Sequence, residues 1–187
     1  MLSGGGRTLL NLLDRIDEGT LRATIPLVIA SRECLGAERA RARGVPAVLI
    51  EPGEIAEERL GALLREHGID FVALAGYLKL VRIPEGFAGR IVNIHPALLP
   101  EFGGQGMYGD RVHEAVLRSG AARSGCTVHL CDGRFDGGPI LLQRECEVRP
   151  GDTARTLAER VFALECGAYP AALQRLIDRG VGDTGVR

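Results

Sequence analysis

The chain has 187 residues, of which 45% are apolar and 25% charged, and a formal net charge of −1. These values suit one soluble globular domain with a sizeable core, expected here to span residues 1–187. They leave no electrostatic footprint for nucleic acid or an anionic membrane surface, and no apolar run approaches the roughly 20 residues of a membrane span.

Positive charge is nearly all arginine, with Lys79 the only lysine, so any cationic binding role must be local. Cys34, Cys126, Cys131, Cys146 and Cys166 contain no C-x-x-C pair. An odd count with no signal-peptide pattern predicts reduced thiols and a cytoplasmic protein. Zinc-type spacing is absent, so no metal is expected.

The elements follow in chain order. "LLNLLDRIDEG" predicts a helix with Leu9, Leu10, Leu13 and Ile16 on its inner face, stopped by Gly19. "TIPLVIAS" reads as a strand and "LGAERARARG" as a short helix ended by Gly44. "PAVLI" is a strand, and "EIAEERLGALLREHG" an amphipathic helix with Ile55, Leu60, Leu63 and Leu64 inward. "IDFVALAG" and "RIVNI" are aliphatic strands. A Gly-rich loop, "EFGGQGMYGD", then leads into the helix "RVHEAVLRSG". The strands "GCTVHLC" and "PILLQRECEV" follow, and a last helix from about Thr153 to Ile177, with a kink expected at Pro170.

Apolar strands alternating with helices indicate an α/β fold: a Rossmann-like, open, mostly parallel twisted sheet with helices on both faces. The last strands extend it in antiparallel sense. Only Met1 and Leu2 precede the loop at Ser3, too few for a strand of the usual five or six residues. The first strand is therefore expected to be truncated.

"RIVNIHPALLP" places Asn93 and His95 two residues apart at the end of a buried strand. Positions i and i+2 share one face, and ligands of open α/β sheets bind at the carboxyl ends of strands. An amide beside an imidazole suits holding an oxyanion and moving a proton. The plainer alternative is that both cap the strand end.

"SGGGRTLL" puts glycines before a helix start, a ready anion site. It lacks the Gly-Lys-Ser/Thr of a nucleoside triphosphate loop, and Leu9 stands where a dinucleotide loop has its third glycine. A small phosphate ester fits better, the alternative being a simple turn. In "CDGRFDGGPIL" the glycines allow a tight turn around Asp136, whose carboxylate would orient an imidazole. Asp132 reads more simply as a turn residue.

Together these stretches resemble the folate-dependent formyltransferase superfamily, and within it the phosphoribosylglycinamide formyltransferases. "NIHPALLP" and the later "DGGPI" carry the resemblance, with "SGGGRTL", "LAGYLKLV", "GMYGDRVHEAV", "GCTVHL" and "LECGAYPAAL" agreeing over Ser3 to about Ile177. The resemblance implies direct transfer of a formyl group from 10-formyltetrahydrofolate, as co-substrate, to the amine of 5-phosphoribosylglycinamide in purine biosynthesis. It implies Asn93, His95 and Asp136 as the catalytic set. Asn93 and a protonated His95 would hold the oxyanion, and Asp136 would keep His95 charged.

It further implies that Gly6, Arg7 and Thr8 hold the ribose phosphate through their amides, and that Glu165 binds the sugar and glycinamide. Arg7 would either add a contact to the phosphate or point to solvent. Leu78, Lys79, Leu80 and Val81, with Asp132, Gly133, Arg134, Phe135 and Asp136, would form the pterin pocket. Residues 1–100 would make a phosphate-binding lobe and 101–187 a lobe completing the folate site, as a monomer or homodimer. The family carries roughly five more residues ahead of its phosphate loop, which implies a start upstream of Met1.

His113 reads as structural or supporting, and His129, alternating with Thr127, as pocket lining or packing. His67 reads as a helix-end residue, and the cysteines as small core residues. Rival readings are a formyltetrahydrofolate deformylase, a methionyl-tRNA formyltransferase, a non-catalytic nucleotide-binding module and a Ser hydrolase. The first two relatives carry additional domains, the third has no need of Asn93, His95 and Asp136 together, and the fourth needs an absent G-x-S-x-G.

Overall fold

The computed structural model describes residues 1–180; the last part of the expected 1–187 domain lies outside the described residues. The chain begins with Met1–Ser3 in extended contact with its neighbours, then the glycine loop, then α1 (Arg7–Asp17). There follow β1 (Leu27–Ala30), α2 (Leu35–Ala42), β2 (Ala47–Ile50), α3 (Glu57–Glu66), β3 (Val72–Leu74) and β4 (Ile91–His95). The remainder is α4 (Asp110–Ser119), β5 (Arg123–Leu130), β6 (Ile140–Glu147) and α5 (Ala154–Arg179).

β1 pairs with β2, and β3 with β4, in parallel. β5 pairs with β4, and β6 with β5, each in antiparallel sense, extending the sheet as the sequence suggests. Alternation along β4 sorts the two faces. Ile91 packs with Leu60, Leu63 and Leu64 of α3, whereas Val92 and Ile94 pack with Leu157, Val161 and Tyr169 of α5. Helices therefore cover both faces.

The truncated first strand has a structural counterpart. Leu2 forms a single parallel bridge to Ala30, donating to Ile29 O and accepting from Ser31 N, each at 3.0 Å. On the other side Ala75 N donates to Met1 O at 2.8 Å and Ser3 N to Gly76 O at 3.0 Å. The sheet is thus divided into β1–β2 and β3–β4–β5–β6. Between the halves runs an apolar cleft of about 330 Å³, lined among others by Met1, Ile25, Leu27, Val72, Ala73 and Leu173. The Met1 amino group donates to Ala73 O at 2.7 Å, and burial lowers its pKa to about 5.

Two expectations are corrected. The fully buried residues of α1 are Leu9 and Leu12; Leu13 and Ile16 pack half-buried against the two cores, and Leu10 is half-buried outside them. The cause is that α1 serves two cores, Leu9 meeting Val28 and Ala37 while Leu12 meets Leu173 and Leu176. Ile55 is buried, as expected, but lies ahead of α3 rather than within it. The last helix runs from Ala154 to Arg179 with Pro170 inside it and buried. Its start is a reciprocal cap: Thr156 N donates to Thr153 Oγ1 at 3.2 Å and Thr153 N to Thr156 Oγ1 at 3.0 Å.

Candidate active site

The carboxyl end of β4 opens on a cleft of about 470 Å³. Asn93 and His95 project into it from the strand. Their backbone is held from behind by Tyr169, fully buried, whose hydroxyl lies 2.9 Å from Val92 O and 3.1 Å from Leu74 O. One O–H shared between two carbonyls ties the end of β3 to the strand β4.

His95 is 3% exposed. Its Nε2 lies 2.9 Å from the carbonyl oxygen of Phe102, so Nε2 carries a hydrogen. Its Nδ1 lies 3.3 Å from Asp136 Oδ1. An acceptor at each nitrogen is satisfied in full only by the doubly protonated ring. The contact to Asp136 is longer than a charge-assisted hydrogen bond, so Nδ1–H is the more loosely held of the two.

Asp136 is placed by a tight turn. Its own φ is +52°, sparsely populated for a residue with a side chain. Gly138 has φ +91°, and a Cβ there would sit 2.2 Å from Leu130 O, so only glycine lets the loop close on β5. The Gly104 amide donates to Asp136 Oδ2 at 2.9 Å, and Asn93 Nδ2 donates to Oδ1 at 3.2 Å. Burial pushes this carboxyl upward, but hydrogen bonds and the charge of the His95 ring, with the Gly104 amide, outweigh it and hold it well below the usual carboxylate range; the His129 Nε2 stands farther off, 3.8 Å from Oδ1.

At one end of the cleft stands the glycine loop. Gly6 has φ +73°, and a Cβ there would meet Gly36 Cα at 2.6 Å, so the loop lies directly on the backbone of α2. The first helical bond of α1 runs from Leu10 N to Gly6 O at 3.0 Å, leaving the Arg7, Thr8 and Leu9 amides without a partner in the helix. Thr8 lines the cleft. The Arg7 guanidinium instead lies over the Phe162 ring, 3.7 Å from its centroid. Near it Glu165 is half-buried within the cleft, its pKa pushed up to about 7 by burial and partly offset by the Arg7 charge.

The other end is apolar. Leu78, Leu80, Val81 and Phe135 line it, with Lys79 and Arg134 beside them. Leu78 is 40% and Phe135 37% exposed, large side chains that a flat ligand would cover. Ser3 connects the two ends, since its hydroxyl accepts from Leu78 N at 3.0 Å. Gly6, Arg7, Asp132 and Gly133 lie outside the lining; Asp132 accepts from Arg134 N and from its guanidinium. Burial lowers the His113 pKa, and its Nδ1 has no hydrogen-bond partner among the described residues.

Three contacts were not foreseen in the sequence. Phe102 O and Gly104 N are backbone groups with no residue signature, and His129 meets Asn93 through strand pairing. The alternation of His129 with Thr127 was the one available signal. Among the described residues, no group of three or more His, Cys, Asp or Glu side chains could hold a metal ion. No described helix is long and apolar enough to cross a membrane.

The family described as formyl transferase matches residues 1–173. Phosphoribosylglycinamide formyltransferase, chloroplastic, of Arabidopsis thaliana is 42% identical over 177 residues, covering 90% of this chain and 61% of the relative. The chain thus spans about three fifths of that relative's length. Two crystal structures superpose closely. Glycinamide ribonucleotide transformylase 1 from Symbiobacterium toebii has a TM-score of 0.83 at 38% identity, covering 92% of this chain and 83% of that one. Phosphoribosylglycinamide formyltransferase from Bacillus halodurans has 0.84 at 32%, covering 95% and 93%. A formyltetrahydrofolate deformylase from Pseudomonas syringae, at 23% identity and a TM-score of 0.81, shares the fold. The match over residues 1–173 and the paired carboxylate and imidazole at the end of β4 lead to one conclusion: the chain belongs to the formyl transferase family.

Proposed function

We propose that the chain transfers a formyl group from 10-formyltetrahydrofolate to the amine of 5-phosphoribosylglycinamide, a step of purine biosynthesis. The observation that carries this reading is the arrangement of one cleft. It has free helix-start amides at one end, an apolar wall at the other, and His95 with Asp136 between them. A ribose phosphate suits the first end and a pterin ring the second.

The chemistry follows from the charges in place. The amine attacks the formyl carbon, forming a C–N bond while the carbonyl pair moves onto oxygen. His95 Nδ1–H donates to that oxygen, and Asp136 balances the imidazolium. The folate C–N bond then breaks, and the amine's proton passes through the Asp136–His95 pair and water to the departing folate nitrogen. Gly6, Arg7 and Thr8 hold the phosphate, and Glu165 the sugar and glycinamide. Leu78, Lys79, Leu80, Val81, Arg134 and Phe135 enclose the folate, while Asp132 and Gly133 act only through the turn that carries Arg134. The five free cysteines fit a reducing, cytoplasmic setting.

The test supplies both substrates to the purified protein and follows the product. N-formylated ribonucleotide in step with folate release is the expected result. Formate instead, independent of the ribonucleotide, would replace this reading with deformylation.

A further inference from the structure

Asn93 and His129 stand directly opposite each other across the antiparallel β4–β5 ladder. His129 is 1% exposed. Its Nδ1 lies 2.9 Å from its neighbour's carbonyl, Leu130 O, so Nδ1 must carry the hydrogen. In the neutral ring Nε2 is then a lone pair, and it meets Asn93 Nδ2 at 3.1 Å. The second hydrogen of Asn93 Nδ2 goes to Asp136 Oδ1 at 3.2 Å. Both amide hydrogens of Asn93 are therefore engaged. Rotating the amide by half a turn would place its oxygen against the Asp136 carboxylate and against the His129 lone pair, so the orientation is set from two sides.

We propose that His129 is a positioning residue for Asn93. By accepting from the Asn93 amide nitrogen, it turns the Asn93 carbonyl oxygen to the cleft, where that oxygen takes a hydrogen bond from the attacking amine and aims the amine's lone pair at the formyl carbon. The inference rests on the transfer reading given above and departs from the oxyanion role that the resemblance implies for Asn93. The oxyanion is served by His95, and Asn93 orients the nucleophile. His129 itself touches no substrate.

Two substitutions separate this from packing. His129→Gln can return an acceptor oxygen toward Asn93, whereas His129→Asn keeps a short donor for Leu130 O and offers Asn93 nothing. In His129→Asn, kcat is expected to fall about tenfold to a hundredfold, with the KM for each substrate within about threefold, as for a misaimed reactant. His129→Gln should recover most of that loss. On an Asn93→Ala background, His129→Asn should cost nothing further. Equal losses in the two His129 variants, or additive losses in the double variant, overturn the proposal.

An activity-independent measurement keeps failure of this proposal apart from failure of the transfer reading. In the unmodified protein, the side-chain amide protons of Asn93 should appear by NMR as two separate resonances protected from solvent exchange. A freely exchanging pair overturns the proposal whether or not formyl transfer is observed.

Discussion

His95 and Asp136 meet Nδ1 to Oδ1 at 3.3 Å, one at the end of a strand and the other in a loop with its own backbone at φ +52°. The pair is held from outside itself, by Phe102 O on the ring and Gly104 N on the carboxylate. Because the glycine loop at α1 is a separate part of the cleft, ligand binding and chemistry should separate. His95→Ala is expected to lower kcat about 10²–10³-fold while leaving ribonucleotide affinity within about threefold. Calorimetric titration beside steady-state kinetics checks it, and parallel loss of binding would refute the role given to His95.

Asp136→Asn removes the balancing charge without changing shape, and kcat should fall about 10²-fold or more. Stability gives a second readout. The Asp136 carboxyl lies below its ordinary range in the folded protein. Its contribution is therefore fully present above the unfolded pKa of about 4 and lost as pH falls below it. The gap in melting temperature between the parent and Asp136→Asn should narrow as pH is lowered from about 6 to about 3.

Glu165 behaves in the opposite sense. Its folded pKa is raised to about 7 from an ordinary 4.5. The stability it allows is fully present below about pH 4.5 and lost as pH rises through 7. Glu165→Gln stays neutral throughout, so the variant should become the more stable protein above pH 7, by about 2–3 kcal/mol. Denaturant melts at pH 5 and pH 8 would show it, and an unchanged difference between the two would refute the assignment.

Tyr169→Phe removes the one hydrogen shared between Leu74 O and Val92 O. The expected cost is about 1–3 kcal/mol, typical of a buried hydrogen bond lost with its partner left behind. Val92 precedes Asn93, so kcat should also fall, by a few fold, roughly as for a small displacement of a catalytic group. Urea melts and steady-state rates together test this.

Much of this site is legible in residue types. Asn93 and His95 share a face because they are two apart on a strand, and Asp136 is flagged by the glycines that let its turn close. Less legible is what crosses the sheet. Nothing in "GCTVHLC" says that His129 will stand opposite Asn93, since register between strands depends on the loops that join them. Backbone groups are quieter still: Phe102 O and Gly104 N act without any side chain to advertise them. The inner face of α1 differs from the periodic expectation at Leu10 and Leu12 for a related reason. A helix that serves two cores does not obey the single stripe that periodicity assumes.

The division of the sheet has a consequence for how the molecule comes apart. Among the described residues, only the backbone of Met1–Ser3 hydrogen-bonds both halves across the apolar cleft, whereas β4, β5 and β6 are stitched along their length and covered by α5. Opening of β1–β2 should therefore cost less than global unfolding, making it a separate cooperative unit. In native-state hydrogen exchange, the amides of Leu27–Ala30 and Ala47–Ile50 should exchange well before those of Ile91–His95 and Arg123–Leu130. Because the glycine loop rides on α2, next to β1, the phosphate end of the cleft would loosen with that first unit while His95 and Asp136 stay in place.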